Sequence, residues 1–376
     1  TYGWYTFRAV DKAGNISEEY QVYYDASTPT ASLYGGTTSY ASGSFVNAPY
    51  IKYVASDSGS NISACYVRMP GASYYTTYAS GTQLATEGKY YFYSVDKSGN
   101  VSATVNITLD KTKPTGTIYG GSAVITNGSA TNAESIRFVP SDQFGLASVY
   151  VKRPNASGYV SYTSGTSYTT EGEYSFYAVD RAGNRSDTYT VTLNRQIPAA
   201  QLYVDDVKID NNSYTNGWHI RFECAETCYV KLPNTEEFVP YMSGAEYYRL
   251  GKYVFYGVDD AGNSTGYYTI VIDKTQKPLE VQNVTDGETD GDVVLTWTDG
   301  DPNVYAPIKT VTINGKPYTK GTPIYTIDTG VYKVVATDRA GNVWETEFKS
   351  TKVNVLTQTL QQKYYEVFDE NGDYYA

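Results

Sequence analysis

The stretch that decides the fold is Gly88-Lys89-Tyr90-Tyr91-Phe92-Tyr93-Ser94-Val95-Asp96-Lys97-Ser98-Gly99-Asn100. Its first half alternates. Tyr90, Phe92 and Ser94 fall on one face of an extended chain, and Tyr91, Tyr93 and Val95 on the other. Period two over such a run means a half-buried strand. Its second half is turn chemistry: Gly takes positive φ cheaply, and Asp and Asn side chains bond nearby backbone groups. A second alternating run follows at Val105, Ile107 and Leu109. Strand, turn and strand read as a β-hairpin.

The hairpin recurs. The string D-x-[AS]-G-N occurs five times, at 11–15, 96–100, 180–184, 259–263 and 338–342. The Asp-to-Asp steps (11 to 96, 96 to 180, 180 to 259, 259 to 338) are 85, 84, 79 and 79 residues. That period is too long for a solenoid repeat and right for a small β-sandwich. Eight residues before each Asp stands a Gly (Gly3, Gly88, Gly172, Gly251, Gly330), and two residues after each Gly a Tyr (Tyr5, Tyr90, Tyr174, Tyr253, Tyr332). Ten residues after the motif's Asn come Asp25, Asp110, Asn194 and Asp273, followed by Pro29, Pro114, Pro198 and Pro278. Proline ends a ladder and stiffens a joint, so the module boundaries fall there.

Composition agrees with strands. Tyr is extreme at 42 residues, and 33 Gly supply turns. No segment has helical periodicity or the roughly 18 apolar residues of a membrane helix. The net charge of −11 argues against a nucleic-acid partner, which needs a basic face. The single His, His219, and three Cys leave no zinc cluster and no repeated Ser–His or Cys–His dyad. The acidic residues fall at turns and joints rather than along one cleft, so the chain is not expected to be an enzyme.

The Gly-x-Tyr element resembles the tyrosine corner of immunoglobulin-like sandwiches, where a Tyr near the start of strand F sends its hydroxyl back to the chain just upstream. The repeated hairpin is then F–G. Strand B is 51–53, 136–138 and 220–222 in successive modules, and strand C is 66–68, 150–152 and 229–231. The whole combination, G-x-Y…D-x-A-G-N…D-x-x-x-P, resembles the bacterial immunoglobulin-like repeats of large surface proteins and adhesins. Thr312-Ile313-Asn314-Gly315 and Tyr318-x-x-Gly321 resemble that group too. The resemblance implies an all-β fold of tandem immunoglobulin-like β-sandwiches in an extended array, at an extracellular bacterial cell surface. Residues 1–28 would be the C-terminal hairpin of a truncated module. Residues 29–113, 114–197, 198–277 and 278–352 would be complete domains, and 353–376 a tail or the start of a further segment. Lys352 stands there in place of Asp. Residue 1 already lies in a strand pattern, so the sequence reads as part of a longer polypeptide.

In such a sandwich the B–C and F–G loops share the end where the linker enters. Three acidic residues can meet at each joint: Asp25, Asp57 and Asp96; Asp110, Asp142 and Asp180; Asp273, Asp299 and Asp338. Calcium takes six to eight oxygens of mixed carboxylate and carbonyl type. Some related adhesins hold calcium between modules, which supports an ion at these joints. The alternative is that each Asp caps its own turn. The third module departs, with Asn194 in the linker, Glu226 in the B–C loop, and Cys224 and Cys228 flanking it. Those two cysteines form a disulfide or remain two thiols. Cys65 reads as a buried small residue.

Function then reads as structural: a stalk, filament or spacer segment whose partners are neighbouring modules of the same chain. The alternative is adhesion, with exposed Tyr-rich surfaces such as Tyr74-Tyr75-x-x-Tyr78 contacting host glycans or proteins.

Overall fold

A computed structural model describes residues 2–276, 279–302, 305–324 and 329–351. Every regular element in these residues is a β-strand. The chain divides into two compact units, Thr1–Arg195 and Gln196–Ala376. The expected Pro278 and Lys352 anchors and the 353–376 tail lie outside the described residues.

The first unit opens with a hairpin of β1 (Gly3–Phe7) and β2 (Tyr20–Tyr24). A sandwich follows, built from β3 (Thr30–Gly35), β4 (Thr38–Tyr40), β5 (Ser44–Val46), β6 (Ile51–Ser56), β7 (Ile62–Arg68), β8 (Thr76–Tyr78), β9 (Gly88–Asp96) and β10 (Val105–Leu109). One sheet has the order β4-β3-β6 and the other β5-β10-β9-β7-β8. All pairs are antiparallel except β5 with β10. Strand B is thus β6, C is β7, and the F–G hairpin is β9 and β10. The pattern repeats at Thr115–Leu193, again as three strands over five. The second unit carries sandwiches at Ala200–Ile272 and Glu280–Ser350.

Alternation explains the layers. Along β9, Tyr90 and Phe92 are wholly buried while Tyr91 and Tyr93 are half-buried on the outer face. Four separate apolar cores result, each drawn from one sandwich: Leu33 to Leu109, Ile118 to Leu193, Leu202 to Ile272 and Leu279 to Phe348. Stacked rings form the centre of the first three. Tyr53 lies 5.0 Å from Phe92, Phe138 5.2 Å from Phe176, and Phe222 5.2 Å from Phe255. Such pairs add about 0.5–1.5 kcal/mol beyond area burial. The initial hairpin has no second layer among the described residues. Its Tyr5 is accordingly 40% exposed, where Tyr90, Tyr174 and Tyr253 are at most 1% exposed.

The tyrosine corner is present. The hydroxyls of Tyr90, Tyr174 and Tyr253 donate to the carbonyls of Thr86, Thr170 and Arg249 at 2.6, 2.9 and 3.0 Å. The Gly two residues earlier serves two needs. Gly88, Gly172 and Gly251 have φ of +135°, +124° and +118°, and an added Cβ would come within 2.4, 2.6 and 2.7 Å of Pro70, Pro154 and Pro233. Gly330 meets no such neighbour.

A second tyrosine device was not read as a repeat. The string Tyr-x-x-Gly-[Thr/Ala] recurs at 78–82, 162–166, 241–245 and 318–322. In each copy the hydroxyl donates to the carbonyl four residues on. It also accepts from strand B, at the amides of Tyr53, Phe138, Phe222 and Leu295. This corrects the view of Tyr78 as an exposed residue, while Tyr74 is exposed. Tyr78 is 8% exposed and belongs to the core. Much of the Tyr excess therefore fastens loops to sheets.

Candidate metal sites at the module joints

The F–G turn is built the same way each time. In the Asp96 copy, Oδ1 accepts the amides of Ser98 and Asn100, both at 2.8 Å, and Oδ2 accepts Asn100 Nδ2 at 2.8 Å. Gly99 sits at φ +87°. The Asp180 and Asp338 copies have the matching bonds to Asn184 and Asn342. Burial pushes Asp96 up, and the Asn100 bonds outweigh it, leaving the carboxyl below its usual range.

The motif's Asn does more than close its turn. Asn100 Nδ2 also donates to the Asp25 carbonyl at 3.1 Å, Asn184 to that of Asp110 at 3.0 Å, and Asn342 to that of Asp273 at 2.9 Å. In these three sandwiches one side chain ties the turn to the linker that enters it. The five-fold recurrence of Asn at the same place is the signal that could have shown this. A further recurring group is the hydroxyl two residues beyond. Ser102, Ser186 and Thr265 each accept a strand F amide at 2.9 Å, from Ser94, Ala178 and Gly257.

Two of the three acidic trios converge. Asp25, Asp57 and Asp96 bring one oxygen each within 4.8 Å of one another, and so do Asp110, Asp142 and Asp180. Three convergent carboxylates are the kind of oxygen donor set that calcium takes. Each trio also leaves one oxygen short. Asp57 Oδ1 and Asp110 Oδ2 are buried with no hydrogen-bond partner. An unmatched buried carboxylate oxygen is costly and calls for a cation or a proton.

The linker carboxylates of these two joints sit in different fields. Asp25 accepts the hydroxyl and amide of Ser27 and the Ser60 amide, which hold it down at about 2. Gly59 makes that seat possible, because a Cβ there would lie 2.2 Å from Asp25 Oδ2. Asp110 is fully buried and accepts only the Thr112 amide at 3.1 Å. Burial, with Asp180, Asp142 and Glu87 nearby, pushes it up to about 6. The B–C loop explains the contrast. It runs 57–61 in the first sandwich and 142–145 in the second, one residue shorter. Asp142 Oδ1 uses the amides of Phe144 and Gly145.

The third expected trio is not assembled. Asp273, Asp299 and Asp338 do not converge as the other two sets do. The B–C loop there is long, 297–307. It returns the Ala306 amide to Asp273 Oδ2 at 2.7 Å, while Asp299 Oδ1 accepts the Ile308 amide at 2.8 Å. Asp273 Oδ1 accepts the amide and hydroxyl of Thr275.

The remaining candidates are simpler. Cys224 and Cys228 are bonded, with Cα atoms 6.3 Å apart, across a B–C loop reduced to 225–226. Cys65 is buried and free. Asn194 donates its amide to Thr131. Tyr93, Tyr177 and Tyr256 form outer-face trios: Tyr66 and Tyr75 around Tyr93, Tyr150 and Tyr159 around Tyr177, and Tyr229 and Phe238 around Tyr256. Their ring faces are turned on one another across strands, which is how aromatic pairs stabilise a sheet.

No family model matches the chain, and no curated protein does. Among solved structures it is similar to the tetra-tandem repeat in the extending region of a large adhesion protein, at 16% identity over 81% of this chain and 95% of that one, with a TM-score of 0.22. It is also similar to the N-terminal eight Ig domains of Down Syndrome Cell Adhesion Molecule, at 10% identity over 76% and 49%, TM-score 0.20. A third is extracellular cadherin domains 3–6 of Protocadherin Gamma B2, at 11% identity over 81% and 95%, TM-score 0.18. At such TM-scores none of these likenesses assigns a role to any residue of this chain. No helix among the described residues is long and apolar enough to cross a membrane.

Proposed function

We propose that this chain is a stalk or spacer segment of a bacterial cell-surface protein, and that calcium fixes two of its joints. The observation that carries the reading is the burial of a linker carboxylate, Asp110, among the turn carboxylates of the sandwich that follows, with Oδ2 lacking a donor. A linker that ran free between domains would keep that group in water. The residues that would hold the ion are Asp25, Asp57 and Asp96 at one joint and Asp110, Asp142 and Asp180 at the other. When bound, the ion supplies the positive charge that lets three carboxylates share one small volume.

The chain's own residues do the rest. Asn100 and Asn184 hold the linker backbone against the turns. Glu87 accepts the Lys111 amide and the Thr112 hydroxyl, gripping the linker from the sandwich it leaves. Lys113 pairs with Asp187 across the same joint at 3.2 Å. A joint gripped from both sides transmits orientation along an array, which is what a spacer requires.

The test is a fluorophore pair at exposed Ser63 and Ser157, in the first and second sandwiches. Calcium should narrow the distance distribution and chelation should broaden it. A distribution indifferent to calcium would remove the ion from the account.

A further inference from the structure

We infer that the Asp273 joint is calcium-independent, because hydrogen bonds there leave no buried carboxylate oxygen without a donor among the described residues, whereas the Asp25 and Asp110 joints each leave one. The inference rests on the calcium reading of those two joints and limits it. The three joints share their frame. Each has a linker Asp whose carbonyl is pinned by the motif's Asn, at 3.1, 3.0 and 2.9 Å. In each, the residue after the motif's Asp donates its amide to the B–C loop, Lys97 to Asn61, Arg181 to Gly145 and Arg339 to Pro307. What differs is how the carboxylates are matched.

At the first two joints one carboxylate oxygen is buried without a donor. At Asp273, itself 1% exposed, Oδ2 takes the amide of the wholly buried Ala306 and Oδ1 takes Thr275. Asp299 Oδ1 accepts the Ile308 amide, and Asp299 does not converge with Asp273 and Asp338. Ala306 lies two residues before Ile308, where strand C of this sandwich begins, so its amide comes from the B–C side of the joint. A site that leaves no buried carboxylate oxygen without a donor offers little gain to a dication, which must strip existing bonds to enter. The same sequence motif thus yields two kinds of joint in one chain.

The experiment uses the full chain. Calcium binding is counted by calorimetry for the parent, Asp110→Asn and Asp273→Asn, and amide exchange is followed with and without chelator. The expected counts are two ions for the parent, one for Asp110→Asn and two for Asp273→Asn. Ala306 should exchange slowly in calcium and in chelator alike, while amides at 110–112 and 142–145 should speed up on chelation. Loss of an ion in Asp273→Asn, or faster exchange at Ala306 on chelation of the unmutated chain, overturns the inference and leaves the calcium reading standing. A parent that binds no calcium overturns the calcium reading, and the inference falls with it.

Discussion

The Asp110 and Asp273 joints begin from the same Asp-Lys-Thr linker string and end in opposite states. Asp110 is buried with an oxygen that nothing donates to, while Asp273 is buried with both oxygens matched. The difference lies in the B–C loop, short in one case and long in the other. A carboxylate's demand for a cation is therefore set by the loop packed against it rather than by the motif that carries it.

Metal removal should break the comparison most visibly. Calcium at 100 times its Kd should stabilise the first unit by about 2.7 kcal/mol for each ion bound. The second unit should not respond, and calorimetric scans with and without chelator check this. The modules can also be compared through their glycines. Gly172→Ala places a Cβ 2.6 Å from Pro154 at φ +124°, whereas Gly330→Ala meets nothing within 4 Å. The first should cost about 2 kcal/mol and the second under about 1, by chemical denaturation. Reduction of Cys224–Cys228 should then cost the second unit about 1–2 kcal/mol, the low end for so short a loop, and leave the first unmoved.

The two linker carboxylates can also be compared through pH. In calcium-free protein Asp110 is raised to about 6 by burial and by Asp180, Asp142 and Glu87. The folded state then holds the proton more tightly than the unfolded chain. Its stabilising effect is complete below about pH 4 and lost as pH rises through about 6. Asp25, held at about 2 by Ser27 and Ser60, behaves oppositely. Its contribution is present above about pH 4 and lost as pH falls through about 2. Denaturation of chelated protein between about pH 4 and 7 should show a loss that Asp110→Asn flattens.

Much of this was legible in the sequence. The period-two run at 90–95 and the turn at 96–100 suffice for the hairpin, and the recurrence of Gly, Tyr and Asp gives the modules. The acidic trios were legible as positions, because loops at one end of a sandwich are neighbours whatever their length. Which trios assemble was not legible. That depends on where the B–C loop sets its own carboxylate, which converges at Asp57 and Asp142 and not at Asp299, and a loop's path leaves no mark in a sequence. The Tyr excess misled in part. Tyr78, Tyr162, Tyr241 and Tyr318 look like surface residues beside Gly-rich turns, and they are loop fasteners whose hydroxyls bond on both sides.

The account turns on calcium stoichiometry, best measured by titration calorimetry on the unmodified chain. It predicts two ions, at Asp25/Asp57/Asp96 and Asp110/Asp142/Asp180. Binding of none, or of a third at Asp273, would contradict it.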